Sequence, residues 1–298
     1  MRFCWNDGLG GPLGKMDPSE VKFIYDTGFR VAGVNGGYQE PSEADFDYAR
    51  NVMADGGLIP GPYGISASAI RPDKADEKEN KRQIIQALKI AGKLRCTALR
   101  YSVGSMHPKD IWMHHPDNVT QKALDMLIKS TKELIPVAED NGVMLCPETT
   151  QWTIVNCIER MKEFVDRLDS PYARIIVDPV NHMSYDRVYE SGRYMRCVVA
   201  ALGDRIGEFH VKDVMVQDKL LVSHIDEAPM GTGLLDHEAL IKVSNQLEPW
   251  KTFSLEHVSN REDIVKAYKH IQGIADRIGH KWTDPRCTRE KWEQGVYK

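Results

Sequence analysis

Short apolar runs alternate with longer amphipathic segments along the chain. Eight runs rich in apolar and β-branched residues predict strands, at residues 2–5, 30–34, 58–63, 98–103, 143–146, 174–177, 206–211 and 252–255. The segments between and after them carry apolar residues on one helical face and predict eight helices. Regular alternation of strands and helices is typical of a parallel sheet built from crossover units, so we expect an α/β fold.

Several helices have recognisable ends or interruptions. Ser42 and Asp45 open the second helix as a capping box. The third is expected at 79–93, after a highly charged lead-in, and the fourth at 118–141 with a bend at Pro136. The remaining four are expected at 153–168, 195–202, 237–247 and 261–278.

Eight strand-helix repeats are enough to close a parallel sheet on itself. The chain of 298 residues fits one such barrel, for which about 250 residues are typical. We therefore predict a single-domain (β/α)8 TIM barrel over residues 1–279, with its active site where the strands end. Residues 280–298 form an irregular C-terminal extension. Because it contains Trp282 and Trp292, we expect it to wrap the barrel or reach a neighbouring subunit.

Charge and cysteine usage narrow the class of protein. The formal net charge is −4, which gives no general attraction to nucleic acid or anionic lipid, so we expect neither as a partner. The amino terminus lacks a signal-peptide pattern, and no apolar run approaches the roughly 20 residues of a membrane span. The six cysteines form no CxxC pair. We expect a reduced, cytoplasmic, soluble protein.

Four residues near the ends of successive predicted strands carry the candidate chemistry: Glu148, Asp178, His210 and Glu256. Their intervals of 30, 32 and 46 residues are close to the roughly 30 or more of one strand-helix repeat, so each strand delivers one of them to the same end of the barrel. Singly, each has an ordinary explanation, such as a solvated acid, a helix cap or a core histidine. Together they predict a metal site, because three carboxylates without a cation would repel one another.

The donor set indicates which metal to expect. Hard oxygen ligands with one imidazole suit Mn²⁺, Mg²⁺ or Co²⁺, and Zn²⁺ is an alternative. We expect one divalent ion, with Mn²⁺ first. Such an ion leaves coordination positions for adjacent oxygens of a sugar and polarises a carbonyl as a Lewis acid.

The second half of the chain resembles the sugar phosphate isomerase/epimerase superfamily of xylose isomerase-like TIM barrels. The motifs that carry the resemblance are Pro147-Glu148, Val177-Asp178-Pro179-Val180-Asn181, His210-Val211-Lys212-Asp213, Gly231-Thr232-Gly233-Leu234-Leu235-Asp236 and Leu255-Glu256. In the epimerase branch the four matching residues bind the metal. The resemblance also implies that Glu148 and Glu256 act as acid and base on opposite faces of a ketose or keto-sugar, with a cis-enediolate between the two proton transfers.

A lyase of the same fold is the alternative reading. The epimerases follow the metal histidine with a Gly-Glu pair and an arginine, whereas this chain has Lys212 and Asp213. The His-x-Lys-Asp version looks more like inosose dehydratases and the metal-bearing subunit of enzymes that cleave oxidised C-glycosides. Lys212 either contacts substrate or pairs with Asp213, and the sequence leaves both open.

Two further classes are weaker. Endonuclease IV relatives use three zinc ions and additional histidines, one of which corresponds to Asn181, and residues 58–68 contain no histidine. A non-catalytic barrel that binds a sugar or serves as a partner subunit remains open, and a metal analysis separates it from the catalytic readings.

Accessory residues are expected to contact a small-molecule sugar substrate, although each has a plausible structural role. They are Asn181, His182, Lys212, His107, Trp112, Trp5 and Tyr38. Arg100 and Lys109 would serve a phosphate or a carboxylate equally. The Gly231-Thr232-Gly233 segment lacks the context of a nucleotide cradle and is expected to fix the loop before the seventh helix. The resemblance favours a homo-oligomer, or a partner subunit if the protein is a deglycosylase.

Overall fold

Eight parallel strands close into a barrel. The computed structural model describes residues 1–219, 221–258 and 260–296. Its strands are β1 (Arg2–Gly10), β2 (Val31–Asn35), β3 (Ile59–Ser68), β4 (Ala98–Ser102), β5 (Met144–Glu148), β6 (Ile175–Val177), β7 (Ile206–Val211), β8 (Asp213–Val216), β9 (Ile225–Ala228) and β10 (Thr252–Leu255). All but β8 and β9 form one closed barrel in the order β1-β10-β7-β6-β5-β4-β3-β2. The predicted (β/α)8 barrel and its eight strands are confirmed.

Helices surround the barrel, and their ends follow local capping chemistry. They are α1 (Pro18–Thr27), α2 (Glu43–Asp55), α3 (Lys74–Lys93), α4 (Gln121–Lys132), α5 (Ile135–Asn141), α6 (Ile158–Leu168), α7 (Tyr185–Val188), α8 (Ser191–Leu202), α9 (His237–Ser244), α10 (Arg261–Arg277) and α11 (Arg289–Glu293). The Ser42 capping box of α2 is present as expected.

Four helix predictions need correction. The helices expected at 153–168 and 195–202 begin at Ile158 and Ser191 instead. The third helix begins at Lys74 rather than at 79, because the Asp73 side chain accepts hydrogen bonds from the amides of Ala75 and Asp76 and so caps the charged segment. The expected bend at Pro136 is a break into α4 and α5, since proline lies in the first turn of α5, where its missing N–H costs nothing.

The first strand shows how side chains are divided between the barrel interior and the helical layer. Phe3 packs against Phe29 and stacks on Tyr268 of α10, with ring centroids 4.9 and 5.4 Å away. Trp5 also faces Phe29, at 5.9 Å. Successive strand residues point to opposite faces, so Asn6 points into the barrel. That alternation decides which residues of β1 reach the site.

The C-terminal extension packs on the amino-terminal end of the barrel. The Trp282 ring stacks on Phe3 with centroids 4.7 Å apart, and the Thr283 amide donates to the Met1 carbonyl at 3.0 Å. Cys287 is fully buried there, and α11 follows. No helix among the described residues is long and apolar enough to cross a membrane.

A hairpin that was not predicted lies directly after β7. Strands β8 and β9 pair antiparallel, with Asp213 opposite Ala228 and Val216 opposite Ile225. The chain then turns through the Gly231–Gly233 loop into α9. As expected, this loop is fixed: one carboxylate oxygen of Asp213 accepts hydrogen bonds from the amides of Gly231 and Gly233, at 2.9 and 2.8 Å.

Candidate metal centre

Four side chains converge where their strands end. Glu148 is the last residue of β5, Asp178 follows β6, His210 is the fifth residue of β7 and Glu256 follows β10. One ligand atom from each lies within 4.8 Å of the other three. Nδ1 of His210 is 2.8 Å from Oε2 of Glu256 and 3.6 Å from Oε1 of Glu148. The structure therefore brings together the four residues that the sequence singled out.

The geometry fits one cation with small rearrangements. Metal–ligand bonds of about 2.2 Å place opposite ligand atoms at most about 4.4 Å apart, close to the largest separation present here. Among the described residues, both ring nitrogens of His210, Oδ2 of Asp178 and Oε1 of Glu256 are buried and form no hydrogen bond of good geometry, although each lies within 4 Å of an oppositely charged group of the same cluster. Since buried polar atoms are ordinarily hydrogen-bonded, atoms without such bonds at one point are consistent with ligands for a divalent ion.

Without a dication, the buried and closely spaced charges of the cluster shift the pKa values of its members. Burial, together with the carboxylates of Glu256 and Glu148, raises the pKa of Asp178 to about 7 despite the nearby Lys212 ammonium. Burial also disfavours charge on His210 and Glu256, but attraction between charges outweighs it. The pKa of His210 is therefore well above its usual value, and the pKa of Glu256 is well below. A dication would provide the compensation that a protonated imidazole and Lys212 provide here.

Lys212 reaches into the cluster from the strand end. Its Nζ is 2.8 Å from Oδ2 of Asp178, 3.2 Å from Oε1 of Glu256 and 3.1 Å from Oε1 of Glu227. It is almost fully buried, and these carboxylates hold its pKa well above the usual value although burial opposes them. The alternative that Lys212 pairs with Asp213 is wrong for the described residues, because the Asp213 carboxylate is turned toward the Gly231–Gly233 loop.

Neighbouring neutral and acidic side chains contact the candidate metal ligands and fix their orientation. Nδ2 of Asn6 donates to Oε2 of Glu256 at 2.7 Å, and Nδ2 of Asn181 donates to Oε1 of Glu148 at 2.7 Å. Glu208 lies on the other side of the His210 ring, with Oε2 3.8 Å from Nε2. Such partners fix the direction of a ligand's lone pairs, as they do around many metal sites.

Two adjoining cavities open at this end of the barrel, with volumes of about 480 and 490 Å³. Glu148 and Trp112 line both. We call the first the Arg100 lobe, which is also lined by Asn6, Asn35, Tyr38 and Arg100, and the second the Lys212 lobe, which is also lined by Asn181, Lys212, Glu227 and His257. Each is of the size that small-molecule sites occupy, about 300–1,000 Å³.

The predicted substrate-contacting residues divide into two groups. Trp112, Tyr38, Asn181 and Lys212 line the lobes. Trp5, His107 and His182 do not line either lobe, and each has a structural contact instead. These contacts differ from one residue to the next.

Trp5 lies within β1 rather than beyond it, so alternation turns its ring toward the helices. The imidazole Nδ1 of His107 accepts hydrogen bonds from the amides of Lys109 and Asp110 within its own loop. His182 is fully buried, with Nε2 2.9 Å from the Thr149 hydroxyl. These contacts account for the positions of the three side chains without a ligand, and their predicted contact with a substrate stays a prediction.

Sequence reasoning missed several lobe residues. Asn35 ends a strand and Asn6 lies in the extended part of β1, so the strand-end signal that found the metal ligands also applies to Asn35. Glu227 and His257 had no such signal. Glu227 comes from the hairpin, and its oxygens lie 3.0 and 2.9 Å from Nδ1 of His257.

Comparisons with known proteins identify the family. The family model of the xylose isomerase-like TIM barrel matches residues 21–274, so the chain belongs to this family. A comparison with proteins of curated function found no match. Among solved structures, a D-psicose 3-epimerase determined in the presence of D-fructose has a TM-score of 0.70 at 14% identity, over 93% of this chain and 99% of that one.

Two further structures share the fold. A xylose isomerase-like TIM barrel protein from Mycobacterium smegmatis in complex with magnesium has a TM-score of 0.68 at 14% identity, covering 92% of this chain and 96% of that chain. The probable 3-DHS dehydratase of petrobactin synthesis from Bacillus anthracis has a TM-score of 0.66 at 14% identity, over 91% and 99%. The fold is thus common to proteins named as epimerase and as dehydratase.

Proposed function

We propose that the protein is a divalent-metal-dependent isomerase or epimerase that acts on a ketose or keto-sugar. The observation that carries the proposal is the convergence of Glu148, Asp178, His210 and Glu256 within 4.8 Å beside two cavities of sugar size. The family membership and the epimerase neighbour support it. Mn²⁺ is the first candidate, and the magnesium-bound neighbour makes Mg²⁺ the second.

The protein's own residues divide the chemistry as follows. Glu148, Asp178, His210 and Glu256 would hold the ion, which when bound neutralises their charge and polarises a substrate carbonyl. One of the two glutamates removes the proton beside that carbonyl, and the other returns a proton to the cis-enediolate. Asn6 and Asn181 keep one oxygen of each glutamate in a fixed direction through the 2.7 Å hydrogen bonds.

A lyase is the second candidate, and Lys212 favours it. Its buried ammonium lines the Lys212 lobe and contacts both Asp178 and Glu256. A cation there can stabilise an enolate, or carry a proton to the leaving oxygen in a dehydration or to the leaving carbon in the cleavage of a C-glycoside, after the same proton abstraction. The dehydratase neighbour belongs to this fold as well.

Exchange with deuterium oxide separates the two candidates. The metal-loaded protein is incubated in D₂O with a panel of ketoses, inososes and 3-keto-glycosides, and products are followed by NMR and mass spectrometry. We expect an intact carbon skeleton with deuterium beside the carbonyl. Loss of water or of an aglycone would establish the lyase instead. If no compound exchanges or breaks down, neither catalytic proposal stands.

A matched pair of variants ties the exchange to the site. Glu256→Gln removes a ligand and acid/base group while keeping side-chain shape, and should lower the exchange rate by roughly 10²-fold to 10⁴-fold. Glu238→Gln, on the exposed surface of α9, should leave it unchanged. Equal rates for Glu256→Gln and the wild type would remove the catalytic role of Glu256.

A further inference from the structure

A buried guanidinium lies in the Arg100 lobe, outside the metal cluster. Arg100 is the third residue of β4, and its side chain is 8% exposed while still lining the cavity. Arginine is always charged. Arg2, Arg71 and Arg174 are equally buried and also donate only to neutral acceptors among the described residues, but they line neither lobe, whereas Arg100 does. Its surroundings therefore show whether the fold supplies the counter-charge or leaves it to a ligand.

The fold supplies only neutral acceptors. Nη2 of Arg100 donates to Oδ1 of Asn35 at 3.0 Å and to the carbonyl oxygen of Asn6 at 3.4 Å. Nε is buried without a hydrogen bond, and Nη1 forms none within residues 1–219, 221–258 and 260–296. No carboxylate of that part of the chain forms an ion pair with Arg100. Asp7, which lines the same lobe, accepts a hydrogen bond from Val258 instead.

Two glycines on the neighbouring strands keep space for this side chain. A Cβ added at Gly33 of β2 would lie 2.8 Å from Nη2 of Arg100, and one added at Gly64 of β3 would lie 3.0 Å from the same atom. The Gly64 Cβ would also lie 2.3 Å from Oδ1 of Asn35. The guanidinium therefore occupies a built recess rather than a surface position.

The recess lies close to the metal cluster. Asn6 accepts from Arg100 through its carbonyl and donates to Glu256 through its side chain. Arg100, Glu148, His210 and Glu256 all line one cavity of about 480 Å³. A small polyhydroxylated molecule in this lobe is within reach of the guanidinium and the ligand cluster together.

The charge count favours a carboxylate over a phosphate. One guanidinium balances one negative charge, and its planar fork matches a carboxylate. A phosphate monoester carries about −1.5 to −2 at pH 7, which would leave excess negative charge in a lobe already lined by Glu148 and Glu256. A neutral sugar would leave the buried cation without a counter-charge.

We propose that Arg100 binds a carboxylate of the substrate, so the substrate is a sugar acid and not a neutral or phosphorylated sugar. This inference rests on the proposed function for the identity of the site as a sugar site. It adds a specificity-determining residue that lies on a different strand from any metal ligand.

The test compares matched acids and neutral sugars by isothermal titration calorimetry on the Mg²⁺-loaded protein at pH 7. The pairs are glucuronate with glucose, galacturonate with galactose and gluconate with glucitol, and glucose 6-phosphate is the phosphate arm. We expect at least one acid to bind about 10-fold or more tightly than its neutral partner and than glucose 6-phosphate. No preference for any acid, or tighter binding of glucose 6-phosphate, overturns the proposal.

Variants assign the preference to the guanidinium. In Arg100→Met the affinity for the acid relative to its neutral partner should fall by roughly 10-fold to 100-fold, which corresponds to the loss of one charged hydrogen bond. Arg100→Lys should retain part of it. Lys109→Met removes a cation from the loop after β4 without touching either lobe and should bind as the wild type does. A preference that survives in Arg100→Met overturns the assignment.

The carboxylate site and the proposed function can be ruled out independently, because one is tested by binding and the other by deuterium exchange. Deuterium exchange into a neutral ketose with no acid preference leaves the proposed function standing and removes the carboxylate site. A preference for acids without any exchange or breakdown leaves the carboxylate site standing and removes the proposed function. If Arg100→Met does not fold, the comparison of ligands on the wild-type protein still decides the proposal.

Discussion

Lys212 is the residue that most directly affects how strongly the four ligands bind a cation. Its ammonium lies 2.8 Å from Asp178 and 3.2 Å from Glu256, so it competes with a metal ion for the same oxygens. Two unit charges 4 Å apart interact by about 4 kcal/mol at an effective dielectric constant of 20. Repulsion between Lys212 and a dication is therefore large enough to set the affinity.

We predict that Lys212→Met binds Mn²⁺ roughly 10-fold or more tightly than the wild type, because the repulsion is removed. Equilibrium dialysis at pH 7 measures the dissociation constant. Lys242→Met, whose ammonium pairs with Glu238 on the exposed face of α9, is the matched control and should bind as the wild type does. Weaker binding by Lys212→Met would mean that the lysine supports the site rather than competing with the ion.

His182 links stability to pH outside the ligand set. Burial and the nearby Arg187 lower the pKa of this histidine from 6.5 to about 4 in the folded protein. Below pH 6.5, His182 binds a proton in the unfolded chain but stays neutral in the folded chain until the pH approaches 4. His182 therefore contributes roughly 3 kcal/mol to the free energy of unfolding above about pH 6.5. This contribution is lost as the pH falls to about 4.

Urea unfolding at intervals between pH 7 and pH 4 tests this prediction. Relative to the wild type, His182→Gln should lose less of its free energy of unfolding across that range, because glutamine does not titrate. Parallel curves for His182→Gln and the wild type would contradict the pKa assigned to His182.

At the scale of elements, the hairpin and the loop after it depend on one carboxylate. Asp213 accepts four backbone hydrogen bonds, from Val214, Gly231, Gly233 and Leu235. The loop can approach this closely because a Cβ at Gly233 would lie 2.3 Å from Oδ1 of Asp213. Asp213 therefore joins the start of β8 to the start of α9.

We expect Asp213→Ala to free this loop. Each amide left without a partner costs about 1–3 kcal/mol when buried, so the loop should open locally before the barrel unfolds. Hydrogen exchange followed by mass spectrometry should show faster exchange in peptides covering Gly231–Leu235. Asp218→Asn, in the turn of the hairpin, is the control. Unchanged exchange in that loop would show that other contacts hold it.

The sequence predicted most elements because most barrel strands are buried along most of their length. Such strands appear as apolar runs, and β4 and β7 are examples in which every residue is buried. The hairpin escaped prediction for the opposite reason. Strand β9 reads Ile-Asp-Glu-Ala and has no fully buried residue, so its pairing with β8 comes from tertiary contacts rather than from a hydrophobic pattern.

The site was predictable to the extent that it depends on strand ends. Glu148, Asp178 and Glu256 each end or follow a buried strand, and closure of the barrel makes such positions neighbours. The contacts of Lys212 with Glu227, and of Asn6 with Glu256, join residues from distant parts of the chain with no common spacing. Trp5 was misplaced because the predicted strand ended at residue 5, whereas β1 continues to Gly10.

In the molecule as a whole, a bound ion would connect the ends of β5, β6 and β10 to His210 within β7. The ligands belong to four barrel strands, β5, β6, β7 and β10, which lie side by side in the order β10-β7-β6-β5. A ligand that binds only the folded chain stabilises it in proportion to the logarithm of its concentration. The metal should therefore stabilise half of the barrel wall and not only the site.

The metal content of each chain shows whether the four converging side chains hold an ion. The protein is stripped with a chelator, dialysed against Mn²⁺ and then against metal-free buffer, and analysed by inductively coupled plasma mass spectrometry. We predict about one ion per chain for the wild type and for Glu238→Gln, and almost none for an Asp178→Asn, His210→Ala double variant. A wild-type protein without bound metal, or a double variant that retains the full amount, would show that these four side chains do not form a metal site.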